Sequence, residues 1–175
     1  MVPISESYNP ISKLQHWILA ALLIGLIGLG WYMTSLDSQS SDIYFNLHKS
    51  FGIVAAFLIL IRILWRLNHT PPPLPNSIPV WQAKISRLIH FLLYIVIIIM
   101  PMTGIIGACY SKYGIKFFGI QLPTFVAKNQ AITSLFFNIH GVIAWVLVSL
   151  ITLHVLAAFK HLIINKDGVF QRMWF

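Results

Sequence analysis

Seven histidines stand in a chain of 175 residues that carries only 4 Asp+Glu and 12 Lys+Arg. Imidazole exchanges protons near neutral pH and is the commonest side-chain ligand for metals, so its placement is the first thing to read. His140 and His154 lie 14 residues apart in one apolar run, which on an α-helix is close to four turns and about 21 Å of rise. They share a face at opposite depths. His48 and His16 each fall about one turn inside the end of another apolar run, His48 at the depth of His140 and His16 at the depth of His154. Two His–His pairs result. Imidazoles on facing helices, aimed at a common point, can hold a planar iron porphyrin from both sides while the bundle shelters the macrocycle. The expected cofactors are two hemes b, and with both axial positions filled by protein the chemistry is electron transfer rather than oxygen binding.

Other uses of these side chains fit less well. A single intramembrane His can simply hydrogen-bond a neighbouring helix, but matched depths on a common face are not needed for that. Zinc requires three or four ligands close together, and a 21 Å interval, from about 1.5 Å per residue, splits the histidines into pairs. The one cysteine, Cys109, excludes an internal disulfide and any thiolate cluster, and no Cys-x-x-Cys-His motif exists for covalent heme attachment. Three histidines lie outside the pairs. His69 falls in a Pro-rich stretch and reads as solvated. His90 begins the third apolar run and by depth competes with His16 as the partner of His154. His161 follows Lys160 at the end of the fourth run, where it either snorkels to water or serves a quinone carbonyl through its exchangeable proton.

The elements that must position these residues follow from charge. The chain is 58% hydrophobic and 9% charged, against about 25% charged in a soluble domain. A water-soluble globule and a disordered chain are both excluded. Long charge-free windows cover 14–36, 88–111 and 129–159; a shorter one, 50–61, extends to 44–65 if terminal Lys and Arg snorkel. The fold class is therefore all-α, an integral membrane four-helix bundle enclosing two hemes b, with helices near 12–36, 43–66, 84–110 and 133–161 in one domain. Residues 67–83 also lack charge, but Pro71, Pro72, Pro73, Pro75 and Pro79 make them an extended linker. Pro10 and Ser12-x-x-Gln15 suggest a capping box that starts helix 1. Pro101, Gly104 and Gly107 suggest a kinked helix 3 that a neighbour can approach, although glycine and proline are common in membrane helices anyway. Gly52 and Gly141 would relieve crowding near a bound ring. Residues 1–12 read as a polar arm rather than a signal peptide.

Orientation follows from the basic residues. With both termini in the cytoplasm, Lys13, Arg62, Arg66, Lys84, Arg87, Lys160, Lys166 and Arg172 are inside and Lys49, Lys112, Lys116 and Lys128 outside. Basic residues spread over helix ends form no nucleic-acid patch. The outside lysines, against Asp37 and Asp42, run counter to the usual depletion there. An excess of positive charge, Lys49 and Lys116 above all, would steer a small anion to the outer heme. The plainer reading is that Lys49 pairs with a heme propionate and the others are loop charges.

The sequence resembles the bacterial cytochrome b561 family of four-helix diheme membrane cytochromes. The resemblance rests on His16-Trp17, Leu47-His48-Lys49-Ser50-Phe51-Gly52, Arg62-Ile63-Leu64-Trp65-Arg66 before the Pro-rich linker, and Arg87-x-x-His90. Further on come Pro101-x-x-Gly104, the His140/His154 interval, and His161 with Lys166-Asp167 and Arg172-Met173. It implies that His16 and His154 hold the inner heme and His48 and His140 the outer one, in the bacterial inner membrane. It places His161 near a quinone on the inner side, where His90 is the second candidate contact. Better understood members act as superoxide oxidases, in which superoxide gives its electron outside, the hemes relay it, and ubiquinone is reduced. A superoxide:ubiquinone oxidoreductase is thus the first expectation. The alternative is an electron-transfer subunit that links a partner dehydrogenase or other redox protein to the quinone pool. A non-redox transport protein would contain no heme.

Overall fold

The computed structural model describes residues 7–36 and 38–175, with residues 38–41 described by backbone only. Residues 1–6 of the polar arm, and Asp37, lie outside the described residues. Helix α1 spans Pro10–Thr34, α2 Ser38–Asn68, α3 Val80–Tyr110 and α4 Gln130–Phe159, which continues as a π-helical turn, Lys160–Asn165. The four α-helices are 25, 31, 31 and 30 residues long, each enough to cross a hydrocarbon core of about 30 Å. Only 11–17% of the most apolar window of each is buried by protein. The remaining apolar surface requires lipid, so the chain is a multi-pass membrane protein.

Helix limits differ from the sequence windows in instructive ways. Helix α1 starts two residues before the expected capping box. Asn9 is its N-cap, accepting from the Ile11 N–H at 2.8 Å, and Pro10 occupies the first turn, where no amide hydrogen is needed. Ser12 is spent on tertiary contacts instead: its hydroxyl accepts from Trp65 Nε1 at 3.0 Å and its carbonyl from Arg62 Nη1 at 3.2 Å. Asn129 caps α4 in the same manner as Asn9 caps α1, accepting from the Ile132 N–H. The linker is shorter than expected, 69–79, because α3 begins directly after Pro79.

Short connections make the helices antiparallel, so both termini reach one end, the terminal end, and residues 111–129 cover the other. The latter carries a feature that charge windows do not reveal, an antiparallel hairpin of β1 (Lys116–Phe117) and β2 (Ile120–Gln121). Its two-residue turn, Phe118-Gly119, has positive φ at both positions, 46° and 89°, which suits the twist of a tight hairpin. Helix α1 packs on α2, α2 on α3, and α3 on α4. Helices α1 and α4 meet through side chains, with Trp31 and Trp145 rings 5.3 Å apart. Leu19, Ile59, Ile97 and Leu147, one from each helix, form the central core cluster.

Candidate functional site

The helices bring the four paired histidines together as two separate couples. His48 on α2 and His140 on α4 have ring centres 6.2 Å apart at the hairpin end; His16 on α1 and His154 on α4 have ring centres 6.2 Å apart at the terminal end. A metal–imidazole bond of about 2 Å, with the ring centre roughly 1 Å behind the nitrogen, puts two imidazoles bound in line to one ion about 6 Å apart. The observed spacing fits that arrangement at both ends. Each couple offers two imidazoles, fewer than the three or four protein ligands that zinc takes, and among the described residues no group of three or more His, Cys, Asp or Glu is placed to hold a metal ion.

The surroundings of the hairpin-end couple are built largely by backbone. His140 Nδ1 lies 3.0 Å from the Met100 carbonyl of α3, which also accepts from the Thr103 hydroxyl at 2.8 Å. A carbonyl only accepts, so Nδ1 carries the proton and Nε2 keeps its lone pair for a ligand. A Cβ at Gly104 would sit 3.1 Å from His140 Cε1, and one at Gly107 2.7 Å from the Phe137 ring. The Pro101-x-x-Gly104 segment is thus the seat against which His140 rests. His48 Nδ1 is buried with no hydrogen-bond partner among the described residues. Gly30 of α1 packs against His48, with a Cβ there 3.3 Å from Cε1. Gly52 and Gly141 face open space instead, since a Cβ at either would meet no protein atom within 4 Å.

His90 enters the terminal-end site as a third ring, 5.2 Å from His154. That is closer than the in-line spacing; His90 Nδ1 lies 2.7 Å from the Ser86 carbonyl one turn back, which leaves its Nε2 free as the Met100 carbonyl does for His140. Next to His16 lies a cation: Arg62 Nη2 is 3.4 Å from its Nδ1. Arg62, Arg66, Gln15 and Tyr94 line a small pocket there, in which Gln15 Oε1 is buried and unpartnered. His161 stands on the π-helical turn, its Nδ1 2.6 Å from Asp167 Oδ2. Burial works against the charged carboxylate of Asp167, but hydrogen bonds from His161, the Val169 N–H and Asn165 outweigh it and hold Asp167 below the usual aspartate range.

A profile of prokaryotic cytochrome b561 matches residues 7–175. The chain belongs to the prokaryotic cytochrome b561 family. It is 31% identical over 172 residues to cytochrome b561 homolog 2 of Escherichia coli, covering 96% of this chain and 91% of that protein. Cytochrome b561 homolog 1 of the same organism is 31% identical over 171 residues, 94% of this chain and 97% of the relative. A Yersinia pestis protein named probable superoxide oxidase CybB is 29% identical over 174 residues, 96% of each chain. Membership brings b-type heme binding and membrane electron transfer, and the two histidine couples are residues that fit such a group.

Within this cytochrome b561 the remaining residues of interest have defined places. Lys49 Nζ donates to the Gly114 carbonyl at 3.3 Å, so its ammonium clamps the loop that precedes β1. Lys116 is in β1, half-buried and close enough to repel Lys49. Lys112 lies over the Tyr113 ring and Lys128 donates to Thr124 and the Cys109 carbonyl. His69 is exposed but not idle, stacking on Trp65 at 3.7 Å with Nδ1 on the Trp65 carbonyl.

Two anchors escape sequence reasoning. Fully buried Ser50 donates to the Asn46 carbonyl and accepts from the Phe118 N–H at 2.8 Å, fastening the hairpin turn to α2 two residues past His48. Buried Arg172 donates to the Pro72 and Pro73 carbonyls at 2.7 and 2.8 Å, while its own carbonyl accepts from Tyr8. Lys13 and Trp17 donate to the Trp174 and Met173 carbonyls. The tail therefore closes the terminal end. Gly119 was the one local signal for the hairpin turn; nothing local signals the partners of Arg172.

Proposed function

We propose that the protein is a diheme b cytochrome that moves electrons across the bilayer from superoxide to ubiquinone. His48 and His140 hold the heme at the hairpin end, and His16 and His154 hold the heme at the terminal end. The observation that carries this reading is the pair of histidine couples with equal 6.2 Å spacing, placed at opposite ends of α4. When bound, the hemes supply one-electron relay. Protein groups hold the rings: the Met100 carbonyl fixes the His140 tautomer, and Gly30 and Gly104 let the helices close on the His48 and His140 rings.

The terminal end bears eight of the basic residues and is the cytoplasmic one by the positive-inside rule, with both termini inside. The opposite, outer end receives superoxide, drawn by Lys116 and the other outer lysines. Ubiquinone is reduced at the terminal end beside His161. Support for the donor comes from the named function of the Yersinia relative, and for heme from family membership.

Purified protein in detergent, given superoxide and an oxidised short-chain ubiquinone, is expected to consume two superoxide ions per quinone reduced, with two hemes per chain in the reduced-minus-oxidised spectrum. Hemes that stay oxidised under superoxide yet become reduced by a co-purifying redox protein would replace superoxide by a partner as donor. A chain without heme would overturn the whole reading.

A further inference from the structure

At the terminal end the chain leaves α4 through the π-helical turn Lys160–Asn165, an uncommon geometry that tends to mark functional positions. Lys166, at φ 51°, and Gly168, at φ 80°, then reverse the backbone. A non-glycine residue holds that conformation only where the surroundings impose it. Its result here is to bring Asp167 back over the turn, with Oδ2 2.6 Å from His161 Nδ1 and Oδ1 3.2 Å from the Val169 N–H. Asn165 Nδ2 is 3.3 Å from the same Oδ2. The His161 and Asp167 side chains are only 16% and 12% exposed, so the pair is held rather than solvated.

A carboxylate oxygen can only accept. Nδ1 of His161 therefore carries a proton, and Asn165 donates to Asp167 rather than to the ring. Among the described residues the Nε2 edge of His161 has no partner. At the same end Phe159 stacks on Phe170 and Phe170 on Trp174, which meets Trp17, the neighbour of His16.

We infer that Asp167 is a positioning residue for a proton-donating His161: its carboxylate holds Nδ1–H so that Nε2 delivers the protons a quinone takes up on reduction. This rests on the quinone-reducing role proposed above. Quinone reduction takes two electrons, supplied one at a time by the one-electron donor through the protein, and two protons. In each proton step the Nε2–H bond of doubly protonated His161 breaks and an O–H bond forms on a quinone oxygen. The ring is left neutral with its proton on Nδ1, still bonded to Asp167, and water reprotonates Nε2 before the second step. With Asn at position 167 the amide can turn and donate to Nδ1. A ring held that way cannot release Nε2–H without becoming an imidazolate, the tautomer error known from carboxylate-oriented histidines in hydrolases.

The test is single-turnover reoxidation of chemically reduced, heme-loaded protein by a short-chain ubiquinone, followed in the visible spectrum. Asp167→Asn is expected to lower the limiting rate about tenfold while the half-saturating quinone concentration moves less than about twofold. Asp167→Glu should recover most of the rate, heme content should not change, and superoxide should reduce the hemes of all variants alike. His161→Gln separates the two ideas. If it reoxidises at the parent rate, quinone is reduced elsewhere and the site assignment fails. If it slows about 100-fold while Asp167→Asn does not slow, only the positioning role fails. Loss of heme in Asp167→Asn, or a change in half-saturation alone, would equally overturn that role.

Discussion

The two ends of the bundle carry the same couple of imidazoles at the same spacing, 6.2 Å, in different company. At the hairpin end the neighbours are backbone: the Met100 carbonyl on His140, Gly30 and Gly104 against the rings, and a β-hairpin pinned through Ser50. At the terminal end they are side chains that carry charge or protons: Arg62 beside His16, His90 against His154, and the His161–Asp167 pair. Backbone dipoles fix geometry and do not titrate, which suits a site that only takes electrons. Titratable side chains suit a site where electron arrival must be matched by protons. Similar ligand geometry thus leaves room for dissimilar chemistry, because the surroundings rather than the ligands set proton access and potential.

The largest effect expected is loss of a whole heme. His140→Ala should abolish the hairpin-end heme and His154→Ala the terminal-end heme, each leaving the other, whereas His69→Ala should lose neither; a heme-to-protein count reads all three. If His90→Ala loses a heme and His16→Ala keeps both, the terminal couple is His90–His154 and the equivalence of the two ends breaks. Next comes Arg172→Ala, which removes charged hydrogen bonds to two carbonyls and should cost about 2–4 kcal/mol. The loss should appear as a lower Tm, with proteolysis beginning in the tail and not in the hairpin.

Arg62→Gln removes a cation next to His16 and should lower the potential of the terminal-end heme by on the order of 50 mV through lost Coulomb stabilisation of the reduced state, leaving the other heme unmoved in a redox titration. Smallest is Ser50→Ala, about 1 kcal/mol for one hydrogen-bonded hydroxyl. Its effect should be confined to the hairpin end, as faster hydrogen exchange at Phe118 with no change at the tail.

How far the sequence could be read depended on how local the cause was. Four helices were legible because an apolar stretch long enough for the bilayer is a property of a single segment, as in 14–36 or 129–159. The His140/His154 interval was legible because one helix sets it. The depth argument could not choose between His16 and His90, and the ring spacings, 6.2 and 5.2 Å to His154, favour His16. Features made by distant partners stayed hidden. Ser50 and Phe118 are 68 residues apart, and Arg172 and Pro72 100 residues apart; neither pairing has a pattern within a window. Lys49 shows the same limit. Its charge was legible and its partner was not, and the amine proves to be fastened to the Gly114 carbonyl.

The core layer of Leu19, Ile59, Ile97 and Leu147 has a consequence for energetics in a living membrane. These four side chains offer no group on which water or a proton can rest, so on the proposed route a negative charge would cross the low-dielectric interior unaccompanied. Such a step feels the transmembrane voltage, up to about 2.3 kcal/mol per 100 mV for a full crossing. Electrons moving toward a cytoplasm that is negative inside would be slowed by an energised membrane and released by a discharged one. Throughput would then follow the state of charge of the membrane.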